Sequence, residues 1–341
     1  MTEFPALLRR VIGGGDLTAE EAAAAIGAIM DETISGIQAG ALLAALATKG
    51  EKIDEVVGAA RAMRQRALRV EHGLPLVIDV VGTGGDGART INISTCAAFV
   101  VAGAGIPVAK HGNRAASSAC GSADVLEALG VRIDRSPEEA ATILRRHSIA
   151  FLFAQRYHPA MKAVGPVRSA LGVRTIFNVL GPLTNPALAH RAVVGVALPR
   201  YVDLVAEALQ GLGSQAGAVI HAESGIDEVA GEGPTHVAQF DGGSIRRWTL
   251  DPADYGVHAT LEQLRGGDAK ANADAALAIL SGEQSPRADV VALNAALALV
   301  VAGAAEDIAG GLEVARRSIA EGAALAALEA LRTEHEVELA R

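Results

Sequence analysis

The chain has 341 residues, half of them apolar and 20% charged, enough for two core-forming domains. Thirty basic against 39 acidic side chains leave a formal charge of −9, which argues against a partner such as nucleic acid or an anionic membrane. Cys96 and Cys120 are the only cysteines, which excludes a disulfide framework or thiolate metal cage and points to a reducing, cytoplasmic setting.

Residues 1–10 read as a helical pattern rather than a signal peptide. Thr18 and Glu21 form a capping box ahead of an apolar run to Met30. Ser35 caps a second helix that carries Leu42, Leu43 and Leu46 and stops at Gly50, and a third runs from Ile53 to Arg69. Leu76–Val81 is a short apolar run ended by glycines, as a buried strand would be. Strand-like and helix-like segments alternate from there: Ile106–Ala109, Ser122–Leu129, Val131–Ile133 as a further strand, a helix capped by Ser136-Pro137, then Ile149–Phe153, Ala192–Leu198 and Ala218–His221. Thr235–Phe240 and Ser244–Leu250 read as antiparallel additions, followed by three or four alanine-rich helices. The longest apolar stretch, Val290–Ala305, carries Asn294 and is shorter than the roughly 18 residues of a membrane span. The pattern predicts an α/β class fold: a small all-helical domain over residues 1–72 and a larger domain over 73–341 with a central, mostly parallel sheet flanked by helices. A return of the chain to the helical domain near 165–190 is left open.

Three loops carry the chemistry. The strand ending at Val81 runs into Gly82-Thr83-Gly84-Gly85-Asp86-Gly87, where glycines let backbone N–H groups approach an anion. The spacing also fits a dinucleotide fingerprint, but the second strand ends in Lys110-His111 where that fingerprint needs an acid, so a nicotinamide-dependent dehydrogenase is rejected. Asn92-Ile93-Ser94-Thr95 opens an apolar helix, with Ser94 or Thr95 as a simple N-cap and an anion site as the alternative. Lys110-His111-Gly112-Asn113-Arg114-Ala115-Ala116-Ser117-Ser118 gathers cations, an amide and hydroxyls in an otherwise acidic chain. Together they describe a pocket for a sugar polyphosphate. Asp227-Glu228, just past the strand ending at His221, would be a solvated turn alone; beside a diphosphate the pair supplies the oxygen ligands Mg²⁺ needs, with Ser94 as a further one.

These motifs, with Arg174-Thr175-Ile176-Phe177-Asn178 and Gly181-Pro182-Leu183-Thr184-Asn185-Pro186, stand in the order found in anthranilate phosphoribosyltransferases, and the whole chain resembles that family. The resemblance implies a fold of the nucleoside phosphorylase and phosphoribosyltransferase type, with the site in the cleft between two domains and a homodimer formed through the helical one. It implies that Gly82, Gly84, Gly85, Asp86, Thr90, Asn92, Ile93, Ser94 and Thr95 line a site for 5-phosphoribosyl 1-diphosphate, closed over by Lys110–Ser118 and Ser122. Ser94 and Glu228 would hold one Mg²⁺, and Asp227 with Glu228 a second. Gly82, Asn113 and Arg168 would contact anthranilate, with His111 and His158 flanking its route inward, and Lys110, Asn113 and Arg168 would be catalytic. Arg168 and His158 are read as sharing a helix whose other charged residues face solvent. The rival readings are a pyrimidine nucleoside phosphorylase, whose lysine loop typically continues Ser-Ser-Gly-Gly after Lys-His, and a non-catalytic nucleic-acid-binding relative, which should lack the carboxylate pair.

Overall fold

The computed structural model describes residues 4–115 and 120–339. It opens with α1 (Phe4–Ile12), α2 (Ala19–Met30), α3 (Gly36–Lys49) and α4 (Ile53–Gln65). Thr18 and Ser35 both cap through complete capping boxes, and Gly50 ends α3 at φ 87°. The third helix stops at Gln65 rather than Arg69, because the chain then turns its N–H groups outward: Leu68 N–H donates to the Tyr157 carbonyl (2.9 Å) and Val70 N–H to that of Pro186 (3.1 Å).

The remainder follows as β1 (Ile78–Gly82), α5 (Ile93–Gly103), β2 (Val108–Gly112), α6 (Ser122–Ala128), α7 (Pro137–His147), β3 (Ile149–Phe153), the single turn α8 (Ala154–Tyr157), α9 (Met161–Leu171), the single turn α10 (Phe177–Leu180), β4 (Arg191–Gly195), α11 (Tyr201–Gly211), β5 (Ala216–Ala222), β6 (Thr235–Asp241) and β7 (Arg246–Leu250). Helices α12 (Leu261–Leu264), α13 (Ala269–Leu280), α14 (Pro286–Ala302), α15 (Ile308–Ala320) and α16 (Ala323–Leu339) close the chain. Val131–Ile133 is not a strand. Gly130 (φ 82°) ends the preceding helix, and the Val131 N–H is taken by the Leu126 carbonyl in that cap.

The strands make one sheet of order β3-β2-β1-β4-β5-β6-β7, parallel from β3 to β5 and antiparallel at β6 and β7. Alternation along the strands splits the core in two. Val193 of β4 packs into a cluster with α5 and α14, whereas Ala192 and Val194 face a second cluster built from α1–α4, α11 and residues Val164, Ile176, Phe177, Leu180 and Leu183. The helical opening thus packs on one face of the sheet together with the segment that contains α9 and α10. Chain order reverses between β1 and β4, and a crevice outside the carboxyl ends of strands at such a point is where open α/β sheets take ligands. Among the described residues no helix is long and apolar enough to cross a membrane.

Candidate active site

The carboxyl ends of β1, β2 and β5 converge at that reversal. After β1, Gly84, Gly85 and Gly87 sit in the left-handed region (φ 64°, 76° and 78°), a path that side chains oppose. The Gly84 N–H donates to Asp227 Oδ2 at 2.7 Å, and Asp86 Oδ1 accepts the Ala88 N–H at 3.1 Å. Asn92, rather than Ser94 or Thr95, stands at the N-cap of α5 and makes no side-chain cap bond; its Oδ1 instead accepts from Asn272 Nδ2 at 2.9 Å. The free N–H of Ser94 in the first turn donates to Glu228 Oε1 at 3.0 Å. Adjacent acids beyond β5 therefore reach two separate anion-seeking groups, a glycine turn and a helix N-terminus.

Beneath them lies a buried polar cluster. Strand β2 extends to Gly112, so Lys110 and His111 are strand residues and not part of a loop after it, and Lys110 is only 4% exposed. Lys110 Nζ donates to the Val80 carbonyl at 2.7 Å and to Ser94 Oγ at 3.4 Å. Its neighbour Asp79, inside β1, accepts from the His111 N–H (3.2 Å) and from Asn185 Nδ2 (2.7 Å), and burial lifts its carboxyl to about 6 against the pull of Lys110. Lys110 is itself lowered by burial. Its ammonium braces Ser94 and the end of β1 from below.

His111 and His158 come together with ring centroids 5.1 Å apart. Burial, reinforced by His158, pushes His111 down to about 3, and burial pushes His158 to about 4, so both are neutral imidazoles. His111 Nδ1 lies 3.1 Å from the Gly181 carbonyl, His111 Nε2 has no partner among the described residues, and the His158 ring lies against the Thr184 backbone. His158 follows α8 and Arg168 lies in α9, so the two do not share a helix. Nor is either a surface residue: His158 is buried, and Arg168 is half-buried, its guanidinium carbon 5.9 Å from the centre of the Phe177 ring.

The other expected residues are placed as follows. Asn113 Oδ1 accepts the Arg114 N–H (2.8 Å), and its carbonyl takes the Ser122 hydroxyl (3.3 Å). Arg114 is held by Asp124 and Glu127, which balance its charge, and the Ala115 N–H also donates to Asp124 (3.0 Å). Thr90 forms an isolated bridge with Arg265, the Ile93 side chain is fully buried, and the buried Thr95 hydroxyl lacks a partner among the described residues. Ala116, Ser117 and Ser118 lie outside the described residues. The sequence reading missed Asp79 and Asn272. An acid inside an apolar strand run was a usable signal for Asp79; nothing local marked Asn272, which acts 180 positions from its partner.

The donor set suits a hard cation. Asp227 and Glu228 are each 9% exposed; burial, then Asp86, raises the Asp227 carboxyl, and burial, then Asp227, raises that of Glu228. Adjacent buried carboxylates of this kind are relieved by a divalent ion. Two adjacent carboxylates suit Mg²⁺, an ion that takes one or two of them and completes its shell with phosphate and water.

Residues 5–67 match the glycosyl transferase family, helical bundle domain, and residues 74–325 match the glycosyl transferase family, a/b domain. An anthranilate phosphoribosyltransferase from Rhodopseudomonas palustris (strain BisB5) is 49% identical over 95% of this chain and 96% of its own length. The chain belongs to the anthranilate phosphoribosyltransferase family. Another member, from Pelotomaculum thermopropionicum, is 49% identical over 95% of this chain and 94% of its own. The anthranilate phosphoribosyltransferase structure from Thermus thermophilus superposes with TM-score 0.92 at 42% identity, covering 96% of this chain and 99% of that one. The Saccharomyces cerevisiae family member in complex with PRPP and Mg gives TM-score 0.90 at 26% identity, with 98% of each chain covered.

Proposed function

We propose that the protein transfers the phosphoribosyl group of 5-phosphoribosyl 1-diphosphate to the amine of anthranilate, giving N-(5-phosphoribosyl)anthranilate and diphosphate in tryptophan biosynthesis. The observation that carries the reading is the pair of bonds from Gly84 N–H to Asp227 and from Ser94 N–H to Glu228, which bring a phosphate-type glycine turn, a helix N-terminus and a carboxylate pair to one point. The amine lone pair attacks the anomeric carbon, the bond from that carbon to diphosphate breaks, and the amine proton leaves. The burden is electrostatic, since charge grows on diphosphate as the ribose becomes oxocarbenium-like.

Gly82, Gly84, Gly85, Asp86, Thr90, Asn92, Ser94, Thr95 and the backbone of Ile93 bind phosphoribosyl diphosphate in this reading, with residues 112–118 and Ser122 over it and the strand residues Lys110 and His111 below. Ser94, Asp227 and Glu228 hold two Mg²⁺ ions, which when bound offset the diphosphate charge. Gly82, Asn113 and Arg168 take anthranilate, between the neutral His111 and His158. Lys110 acts mainly by holding Ser94, a reading supported by its burial and its bond to that hydroxyl. Residues 1–72 form the helical domain, with 165–190 packed against it, and 73–341 the catalytic one, a division supported by the second apolar cluster. Homodimerisation through the helical domain completes this reading. Two buried free thiols suit the cytoplasm. The test is anthranilate fluorescence against time with phosphoribosyl diphosphate and Mg²⁺: a decay abolished by EDTA supports the reading, and a flat trace from folded protein refutes it.

A further inference from the structure

Arg174 lies in the turn between α9 and α10, two residues after Gly172 closes α9 at φ 62°. Its Nη1 donates to the Gly85 carbonyl at 3.3 Å, linking that turn to the glycine loop after β1. Its Nε and Nη2 are shut away from solvent and meet no acceptor among the described residues. Burying guanidinium donors unpaired costs more than an ordinary hydrogen bond returns.

The unpaired atoms are not a random subset. Nε and Nη2 form the side edge of the guanidinium, where two N–H vectors run parallel and match two oxygens of one carboxylate or phosphate. The same edge is in use elsewhere in this chain, where Arg66 grips Asp31 with Nε at 2.7 Å and with Nη2. A purely structural brace would explain the bond to Gly85 and leave the edge unexplained. Gly85 also belongs to the turn assigned above to diphosphate, and its left-handed glycines can re-form around a phosphate without displacing a side chain.

We infer that Arg174 is a further substrate-binding residue, whose Nε/Nη2 edge receives a phosphate of phosphoribosyl diphosphate while Nη1 holds the Gly85 carbonyl. The inference rests on the reaction proposed above. Its test compares full-length wild type, Arg174→Gln and Arg174→Lys by initial rates over both substrates and by thermal unfolding. Inorganic diphosphate and ribose 5-phosphate serve as competing probes. Arg174→Gln should raise the KM for phosphoribosyl diphosphate about tenfold or more, with the anthranilate KM moving less than about threefold. Arg174→Lys should recover only part of the loss, because a single ammonium cannot present the parallel pair. Weaker inhibition by diphosphate assigns the edge to the leaving group, and weaker inhibition by ribose 5-phosphate assigns it to the far phosphate. An unchanged KM for phosphoribosyl diphosphate, a rise confined to anthranilate, or full recovery in Arg174→Lys overturns the inference. If Arg174→Gln does not fold, Arg174→Lys carries the test alone. An inactive wild type would refute the reaction instead, and calorimetric binding of inorganic diphosphate to wild type and variant would then judge Arg174 separately.

Discussion

Gly82→Ala isolates the position of one carboxylate. Gly82 does not sit at positive φ, so alanine can adopt its backbone, and within the protein the new methyl meets Asp227. A Cβ there falls against Asp227 Oδ2, with Cγ at 3.0 Å. Carbon atoms pack best at about 3.5–4.0 Å, so the carboxylate must retreat by roughly 0.5–1 Å. That retreat breaks the 2.7 Å bond from the Gly84 N–H. A misplacement of this size at a reacting centre costs on the order of 10²-fold in rate, or about 2.7 kcal/mol of barrier. The fold should lose only about 1 kcal/mol, the low end for overpacking, because the obstacle is a side chain that can turn. The assay is kcat/KM from anthranilate fluorescence beside a thermal melt, in wild type, Gly82→Ala, Asp227→Ala and the double variant. With Asp227 truncated, Gly82→Ala should cost clearly less than it does alone, the remainder being its own contacts to substrate. A Gly82→Ala enzyme within about threefold of wild type, or a full additive loss in the double variant, would refute the reasoning.

Further outcomes follow from the same site. Asp227→Asn with Glu228→Gln should lower kcat/KM by about three orders of magnitude; near-normal turnover at saturating Mg²⁺ would defeat the metal assignment. Arg168→Ala should raise the KM for anthranilate about tenfold and leave that for phosphoribosyl diphosphate nearly unchanged, and equal shifts in the two would show that Arg168 does not face the aromatic acid. His158 has an ordinary value of 6.5 and is held near 4 in the fold, so the unfolded chain takes up a proton first and stability falls as pH drops through that window. Urea unfolding of His158→Asn between those limits should therefore show a slope shallower than wild type by about 1.4 kcal/mol per pH unit, and parallel slopes would contradict a buried neutral ring.

Helix starts were legible because capping is local: Thr18, Ser35 and Ser136 each announce themselves within four residues. Ends and strand edges were less so, since they depend on distant partners. The third helix ends early because Tyr157 and Pro186 claim its outgoing N–H groups, and Val131 reads as a strand only until the helix cap takes its donor. The glycine turn and the Asp227-Glu228 pair stood out as candidates because each lies just past a strand-like apolar run. The role of Lys110 could not, because its burial depends on β2 running two residues past Lys110, with Asp79 on the neighbouring strand.

Gly82 and Gly195 are register partners at the ends of β1 and β4, the two strands that flank the reversal of the sheet. A Cβ on Gly195 would run into the backbone carbonyl of Asp227, with the carbonyl carbon at 2.5 Å, while one on Gly82 meets the same residue's carboxylate. The segment that carries the acids is thus threaded through a slot that two bare strand ends keep open. Gly195 cannot acquire a side chain without displacing that backbone, and Gly82 cannot without turning the carboxylate aside. On the reading proposed above, drift toward a different acceptor therefore falls to α9, where Arg168 stands.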